Sequence, residues 1–197
     1  MPSVTINWYI LIILPRTFSL AISERYTGAE VVEEGLSGRT TVFKDPLRPY
    51  GCGVDYIEAC AASHAPFDLL ICMLGTNDMR PHLCNLPQAS ARGAAMICQK
   101  AQQMVPGIKV LFVSPIVIGR WLPQVSPMYQ ENMDSIENTY KFAKVFKEQA
   151  DLNGFYFLDA AAYAEPSKED AVHMSPEAHK KLAIAIAEKV KEIMSES

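Results

Sequence analysis

Short runs of hydrophobic residues alternate with longer amphipathic stretches along this sequence. Four of the runs are mostly apolar and are bounded by Gly, Pro, Asn or Asp, which is typical of buried parallel strands: residues 29–33, 68–74, 109–114 and 155–159. Residues 8–14 are a candidate fifth strand. Between these runs, residues 53–63, 87–105 and about 128–152 have the length and composition of helices. Alternating strands and helices predict an α/β fold with a parallel sheet.

The last helix has the clearest start signal in the sequence. Ser175 is a favoured N-cap residue, Pro176 fits the first turn, and Glu177 suits the helix dipole. One face of this helix is apolar and is formed by Leu182, Ile186, Val190 and Ile193. The chain has 197 residues and no repeat, linker or biased tract, so we expect a single domain over residues 1–197. In such a doubly wound sheet, ligands bind at the carboxyl ends of the strands.

Composition and charge narrow the choice of partners and compartment. Hydrophobic residues make up 49% and charged residues 20% of the chain, as in ordinary globular proteins. Lys and Arg number 18 against 22 Asp and Glu, so a net charge of -4 disfavours nucleic acid and anionic membranes as partners. Residues 8–14 are too short for a bilayer, which needs about 20 apolar residues, and they lack the marks of a signal peptide. Five cysteines without a Cys-x-x-Cys pattern favour free thiols in the cytoplasm.

Two segments that follow predicted strands carry candidate binding groups. Residues 33–41 read Glu-Glu-Gly-Leu-Ser-Gly-Arg-Thr-Thr, and their glycines let backbone N–H groups approach a ligand. This segment lacks the spacing of a P-loop or a dinucleotide motif, and a tight turn with a structural Arg39 is the alternative. Residues 75–78 read Gly-Thr-Asn-Asp, where the Asn77 amide can donate a hydrogen bond to an oxyanion. A turn that merely ends the strand is the alternative there.

Asp170 and His173 are the third candidate, in the loop before the last helix. A carboxylate three residues before an imidazole can turn back onto it, fix its tautomer and stabilise the imidazolium, as hydrolytic triads require. A solvated loop histidine is the alternative. A metal site of Asp170, His173 and His179 is disfavoured, because His179 falls on the following helix and no third ligand has a recognisable spacing. His64 and His82 fit no pattern and are interpreted as structural.

Taken in this order, the three segments resemble blocks of the SGNH (GDSL-type) hydrolase family, especially its arylesterase-like and acyltransferase-like bacterial branch. Residues 33–41 look like the glycine block, residues 75–78 like the Asn block, and residues 170–173 like the Asp-x-x-His block. Val113-Ser114-Pro115 is similar to a strand end of that family. The resemblance implies a three-layer α/β/α sandwich with a flavodoxin-like parallel sheet of about five strands.

The same resemblance implies the roles of four residues. His173 would be the general base, and Asp170 would be the acid that orients it. Gly38 N–H and the Asn77 amide would be two oxyanion donors. The family hydrolyses or transfers short acyl groups on esters without a cofactor, so a small ester is the expected partner and no metal is expected. This branch tends to assemble, so a homo-oligomer of unspecified size is also expected.

The family's first block, Gly-Asp-Ser-Leu after the first strand, supplies the nucleophile and a third oxyanion donor, and this sequence does not contain it. In one alignment, residues 16–34 are the helix and second strand that follow this block, so that residues 1–14 replace the first strand and its loop. A second alignment makes residues 9–14 the first strand and Ser19 the nucleophile. Ser19 on the polar face of a helix is the alternative. Residues 6–14 are the one apolar run available for the central position of the sheet.

The sequence therefore predicts an SGNH-type esterase or acylhydrolase for short-chain acyl esters, with activity weakened or abolished by the missing serine block. The alternative is a pseudoenzyme of the same fold that binds an ester or carbohydrate without turning it over. A third hypothesis is a chain start that is misassigned or frame-altered relative to a full-length enzyme. Four residues in the loop after the fourth strand are candidates for a substrate pocket wall or for packing: Trp121, Leu122, Met128 and Tyr129.

Overall fold

The computed structural model describes residues 9–13, 27–84, 86–125 and 133–196. Its strands are β1 (Tyr9–Ile13), β2 (Glu30–Glu33), β3 (Leu69–Cys72), β4 (Lys109–Ser114) and β5 (Tyr156–Asp159). They form one parallel sheet in the order β2-β1-β3-β4-β5. This is the flavodoxin-like order that the sequence predicted, and each of the predicted apolar runs supplies one strand.

Helices cover both faces of the sheet. They are α1 (Gly53–His64), α2 (Pro87–Met104), α3 (Leu122–Val125), α4 (Met133–Thr139), α5 (Phe142–Asn153) and α6 (Pro176–Ser195). Side chains of α1, α2 and α5 share one buried cluster with Leu70 and Phe112 of the sheet. The predicted apolar face of α6 packs into a second cluster with Ile71 and Leu111, the sequence neighbours of those two residues. Because successive strand residues face opposite sides, these two cores confirm the three-layer sandwich.

The N-terminal apolar run fills the central position of the sheet. In β1, Ile10 pairs with Val31 of β2 on one side and with Leu69 of β3 on the other. Ile10 and Leu11 are fully buried, and each lies in a different one of the two core clusters. The prediction that residues 6–14 supply this strand is therefore confirmed for residues 9–13, and the strand comes from this chain.

The predicted single helix over residues 128–152 was wrong, because the chain forms α4 and α5 there with a turn at Tyr140 and Lys141. The hydroxyl of Thr139 explains the break. It donates to Ile136 O at 2.7 Å and accepts from Ile118 N at 2.9 Å, which ties the end of α4 to the loop after β4. A hydroxyl that binds backbone groups in this way competes with helical hydrogen bonding. Residues 128–132 lie outside the described residues.

The start of α6 agrees with the predicted signals. Ser175 is the N-cap, and its hydroxyl oxygen accepts a hydrogen bond from Ala178 N at 3.2 Å. Pro176 is the first helical residue and Glu177 lies in the first turn. Within the part of the chain that the structure describes, no helix combines the length and apolar character needed to cross a membrane.

Replacing Leu11 with alanine tests the position of β1. The side chain is fully buried, so the change leaves a cavity and should lower the free energy of unfolding by about 3 kcal/mol. Urea denaturation followed by circular dichroism measures this loss. Leu152→Ala is the control, because Leu152 is 77% exposed near the end of α5 and should change stability by less than about 0.5 kcal/mol. Equal effects of the two changes would contradict the central position of β1.

Candidate active site

A buried carboxylate joins the two loops that carry the predicted oxyanion donors. Asp78 lies in the short 3₁₀ turn Thr76–Met79 after β3 and is fully buried. Its Oδ1 accepts from Thr41 N at 2.9 Å, and its Oδ2 accepts from the hydroxyls of Thr41 at 2.7 Å and Ser90 at 2.6 Å. Burial raises the pKa of Asp78, although these hydrogen bonds oppose the shift. Asp78 therefore links three segments: the glycine loop (residues 33–41), the Asn turn (residues 75–78) and α2.

The turn that carries Asn77 requires a glycine at its start. Gly75 has φ +144°, and a Cβ atom there would lie 2.8 Å from Ser90 Oγ and 3.1 Å from Phe146 Cζ. Its carbonyl accepts a hydrogen bond from Asp78 N at 3.0 Å, which closes the turn. Both the backbone conformation and the close neighbours exclude a side chain at this position.

The Asn77 carboxamide is held at both ends. Its Nδ2 donates to Arg39 O at 3.0 Å, and its Oδ1 accepts from Arg80 Nη2 at 2.8 Å. These two partners fix which end of the amide is the nitrogen. The NH₂ group carries two hydrogens, and the second has no hydrogen-bond partner among the described residues. Asn77 can therefore keep its position and still donate one hydrogen bond to a ligand.

Gly38 presents a free backbone donor next to this amide. It has φ +79°, and its N–H has no hydrogen-bond partner in the described part of the chain. Gly38 directly precedes Arg39, whose carbonyl binds the Asn77 amide. The structure therefore places the two predicted donors on loops that touch each other, with a single hydrogen bond joining the residue after Gly38 to Asn77.

Asp170 and His173 form the predicted pair. His173 Nδ1 lies 2.6 Å from Asp170 Oδ2, while Asp170 Oδ1 accepts from Val172 N at 2.9 Å and His173 N at 2.8 Å. Partial burial raises the pKa of Asp170, but the bonds from these two N–H groups and from the imidazole outweigh burial and lower it overall. A charged carboxylate at Nδ1 favours the tautomer with its proton there, which leaves Nε2 available to accept a proton.

The loop of this pair is braced by the segment after β4. Ala171 has φ +61°, a conformation that costs an alanine roughly 1 kcal/mol. Its carbonyl accepts from Gly119 N at 2.8 Å, and the Trp121 indole donates to Ser167 O at 3.2 Å. These contacts hold the loop in the shape that lets one carboxylate bind both the backbone and the ring of His173.

A cavity of about 70 Å³ lies between these loops. His173 and Asn77 line it together with Arg39, whereas Asp170 and Gly38 are not among its lining residues. Asp170 instead contacts His173 from outside the cavity. The structure therefore brings His173, Asp170 and Asn77 into one site, and Gly38 directly precedes Arg39 of the cavity lining.

Two further residues line the cavity, and the sequence did not predict this role for either of them. His179, in the first turns of α6, also lines the cavity, and burial together with the nearby His173 lowers its pKa. Its position four residues after the Ser175 N-cap, one helical turn on, was the available signal. Arg39 is 5% exposed and its guanidinium lies 4.4 Å from the centre of the Tyr56 ring, so its side chain packs while its carbonyl orients Asn77.

Of the predicted wall residues after β4, the structure describes Trp121 and Leu122, and neither lines this cavity. Leu122 lines a neighbouring cavity of about 30 Å³ together with Thr76 and Asn77. Trp121 packs beside the cluster that contains Ile118 and Leu122. Met128, Tyr129 and the candidate nucleophile Ser19 lie outside the described residues.

The remaining histidines pair with carboxylates. His64 Nε2 lies 2.7 Å from Glu34 Oε1, and His82 Nε2 lies 3.0 Å from Asp45 Oδ1. Among the described residues, the one group of three metal-ligand atoms within 4.8 Å of one another is formed by Glu34, Cys60 and His64. Asp170, His173 and His179 do not form such a group.

Comparison with known proteins decides the family. The family model of GDSL-like lipases and acylhydrolases matches residues 15–181. The chain belongs to this family. No curated protein sequence matches the chain.

Two solved esterase structures are similar to this chain over nearly its whole length. Est24, a carbohydrate acetylesterase from Sinorhizobium meliloti, is 26% identical, with 95% of this chain and 100% of that chain covered and a TM-score of 0.86. The inhibitor-bound aryl esterase of M. smegmatis is 27% identical, with 94% and 99% covered and a TM-score of 0.84. The sheet and its helices therefore have the SGNH hydrolase fold that the sequence predicted.

Replacing Asp78 with alanine tests the tie between the loops. The change leaves Thr41 N–H buried without its acceptor and removes the bonds to two hydroxyls, so the free energy of unfolding should fall by roughly 3 kcal/mol. Thermal and urea unfolding measure it. Asp55→Ala is the control, because Asp55 is exposed and its ion pair with exposed Lys44 is worth less than about 1 kcal/mol. A loss no larger than in this control would contradict the role of Asp78.

The lowered pKa of Asp170 predicts a pH dependence. Its charged form stabilises the fold above the unfolded-state pKa of about 3.9, and this contribution is lost as the pH falls through the lower folded-state value. Asp170→Asn removes the contribution. The difference in free energy of unfolding between the native protein and this variant should therefore be largest above about pH 5 and shrink below about pH 4. Urea titrations across this range measure it, and a difference independent of pH would refute the assignment.

Proposed function

We propose that this GDSL-like hydrolase hydrolyses short-chain acyl esters through His173, Asp170, Gly38 and Asn77. The observation that supports this most directly is the 2.6 Å contact between His173 Nδ1 and Asp170 Oδ2 beside a cavity that Asn77 also lines. A carboxylate-bound imidazole next to amide donors is the arrangement that acyl transfer requires. The proposed reaction uses no cofactor, and its partner is a small ester.

In the proposed mechanism, one pair of residues transfers the proton and the other pair stabilises the negative charge. His173 Nε2 takes the proton of the attacking oxygen, and Asp170 stabilises the resulting imidazolium at Nδ1. The negative charge that develops on the ester carbonyl oxygen receives hydrogen bonds from Gly38 N–H and the free Asn77 hydrogen. His173 then returns the proton to the leaving alcohol. An alcohol in place of water would make the same steps an acyl transfer.

We propose that turnover is impaired, because the sequence contains no Gly-Asp-Ser-Leu block to supply a nucleophile and the third oxyanion donor. A base with two oxyanion donors can still act on water, with a residual acceleration on the order of 10³-fold in the precedent of triad deletions. Ser19 as a replacement nucleophile remains a proposal that a covalent label can test.

The size of the cavity and the printed activities of the relatives suggest the substrate class. About 70 Å³ has room for a small acyl group. The relatives act on aryl esters and on acetylated carbohydrates. We therefore propose acetyl or similarly short acyl groups on an aromatic or sugar alcohol.

The second candidate is a pseudoenzyme that binds such an ester without turnover, and the missing serine block is the observation that favours it. We further propose a single domain, a cytoplasmic location and a homo-oligomer. The five cysteines are free, as in a reducing compartment. Large exposed apolar side chains, among them Leu47, Tyr50, Leu86 and Met96, would suit contacts between copies.

Incubation with p-nitrophenyl acetate and with a serine-reactive phosphonate tests this proposal. We expect slow hydrolysis without covalent labelling, and His173→Ala should lower this rate further, because only the oxyanion donors remain in the variant to accelerate the reaction. His64→Gln is the matched control and should retain the rate, since His64 lies on α1 and does not line the cavity.

Rapid hydrolysis with covalent labelling would contradict the proposed impairment, and the labelled peptide would identify the nucleophile. A native protein that binds the ester without any hydrolysis, with unchanged affinity in His173→Ala, would favour the pseudoenzyme. Loss of turnover in His64→Gln equal to that in His173→Ala would contradict the role assigned to His173.

A further inference from the structure

Each of the two proposed oxyanion donors belongs to a planar amide group whose oxygen accepts a hydrogen bond from an arginine. Gly38 N–H and the Ser37 carbonyl are two ends of one peptide group, and Arg48 Nη1 donates to Ser37 O at 3.2 Å. Nδ2 and Oδ1 are two ends of the Asn77 carboxamide, and Arg80 Nη2 donates to that Oδ1 at 2.8 Å. The same arrangement therefore occurs twice, on two different loops.

A cation at the oxygen of an amide strengthens the N–H donors at its other end. It draws electron density toward the oxygen, which leaves the N–H group more positive, and hydrogen bonds in such a chain reinforce one another. Among the described residues the single cis peptide bond is Ala65-Pro66, so the Ser37-Gly38 bond is trans. Its N–H and C=O therefore point in opposite directions. Arg48 can act on the Gly38 donor without occupying the place of a ligand.

Because Gly38 has no side chain, the Arg48 guanidinium can lie directly against it. A Cβ atom on Gly38 would lie 2.5 Å from Arg48 Nη1 and 3.0 Å from its Cζ. Within the described residues, no carboxylate forms a salt bridge with Arg48. Its charge is therefore directed at the Ser37 carbonyl and not neutralised by an acid in this part of the chain.

A buried carboxylate holds the Arg80 guanidinium in place on the side away from Asn77. Its Nη1 donates to Asp45 Oδ2 at 2.7 Å, and Asp45 is only 2% exposed. Burial raises the pKa of Asp45, but hydrogen bonds from Leu47 N, His82 and Arg80 outweigh this and lower it overall. The carboxylate is thus charged at neutral pH and holds the guanidinium against Asn77. Arg80 can therefore act on Asn77 without contacting the ligand.

We propose that Arg48 and Arg80 are positioning residues that polarise the two oxyanion donors, the Gly38 N–H and the Asn77 amide. This inference rests on the proposed function, because it concerns donors to the oxyanion of an ester. The benefit is greatest when charge develops on the ester oxygen, so loss of either arginine should lower kcat more than it raises KM.

The first test uses the ligand-free protein and does not depend on turnover. In ¹H–¹⁵N spectra, Arg48→Gln should move the Gly38 amide proton upfield, and Arg80→Gln should do the same to the Asn77 side-chain protons, because less polarised N–H groups are more shielded. Arg92→Gln is the control, since Arg92 is exposed on α2 and should move neither signal. Signals that move no more than in this control would overturn the proposal.

The second test measures hydrolysis of p-nitrophenyl acetate. Each glutamine variant should lower kcat by about tenfold with KM nearly unchanged, because it weakens a donor whose complete removal costs about 10²- to 10³-fold. Arg48→Lys keeps the charge and should recover part of the loss. Equal losses in Arg48→Lys and Arg48→Gln, or an unchanged kcat in variants whose signals moved, would overturn the proposal.

These two tests separate the inference from the proposed function. If the native protein hydrolyses no ester, the proposed function fails and the amide signals alone decide whether the arginines polarise the donors. If hydrolysis is present and neither kcat nor the signals respond, the inference fails and the proposed function stands. If Arg80→Gln does not fold, Arg48→Gln carries both tests, because it breaks no salt bridge in the described structure.

Discussion

The hydrogen bonds to the buried carboxylate of Asp78 are the interaction on which the rest of the site depends. Through Thr41 and Ser90 this single side chain joins the glycine loop, the Asn turn and α2. Burying a carboxylate is costly, and its three hydrogen bonds offset that cost only while all the donors stay in place. The main effect of these hydrogen bonds is therefore to fix the positions of the three segments relative to one another. Oxyanion donors are effective only at hydrogen-bond distance from the developing charge, so two loops that moved independently would lose this effect.

Local patterns in the sequence were enough to predict the sheet, α6 and the pairing of Asp170 with His173. Each of these depends on residues close together in the chain, such as an apolar run, an N-cap or a three-residue spacing. The position of β1 followed from a different argument, because a central position in a parallel sheet needs an apolar strand and residues 9–13 lie in the available run.

Contacts between distant segments could not be predicted in this way. Thr41 and Asp78 meet across 37 positions, and Asp45 meets Arg80 across 35. Nothing in the spacing of Arg48 indicates that its guanidinium lies on Gly38, and an alanine at φ +61° has no sequence signal either. The break between α4 and α5 belongs to the same class, because Thr139 stops the helix through a bond to Ile118 on another loop.

The central place of β1 has a consequence for synthesis of the chain. Strand β1 precedes both of its neighbours in the chain and so leaves the ribosome before β2 and β3, and Ile10 meets its second neighbour only at Leu69. Until that residue emerges, one edge of an apolar strand has no partner from its own sheet, and an unpaired edge is a template for wrong pairing. The nascent chain must therefore stay protected from aggregation over this interval, and parallel pairing between distant segments makes the interval longer.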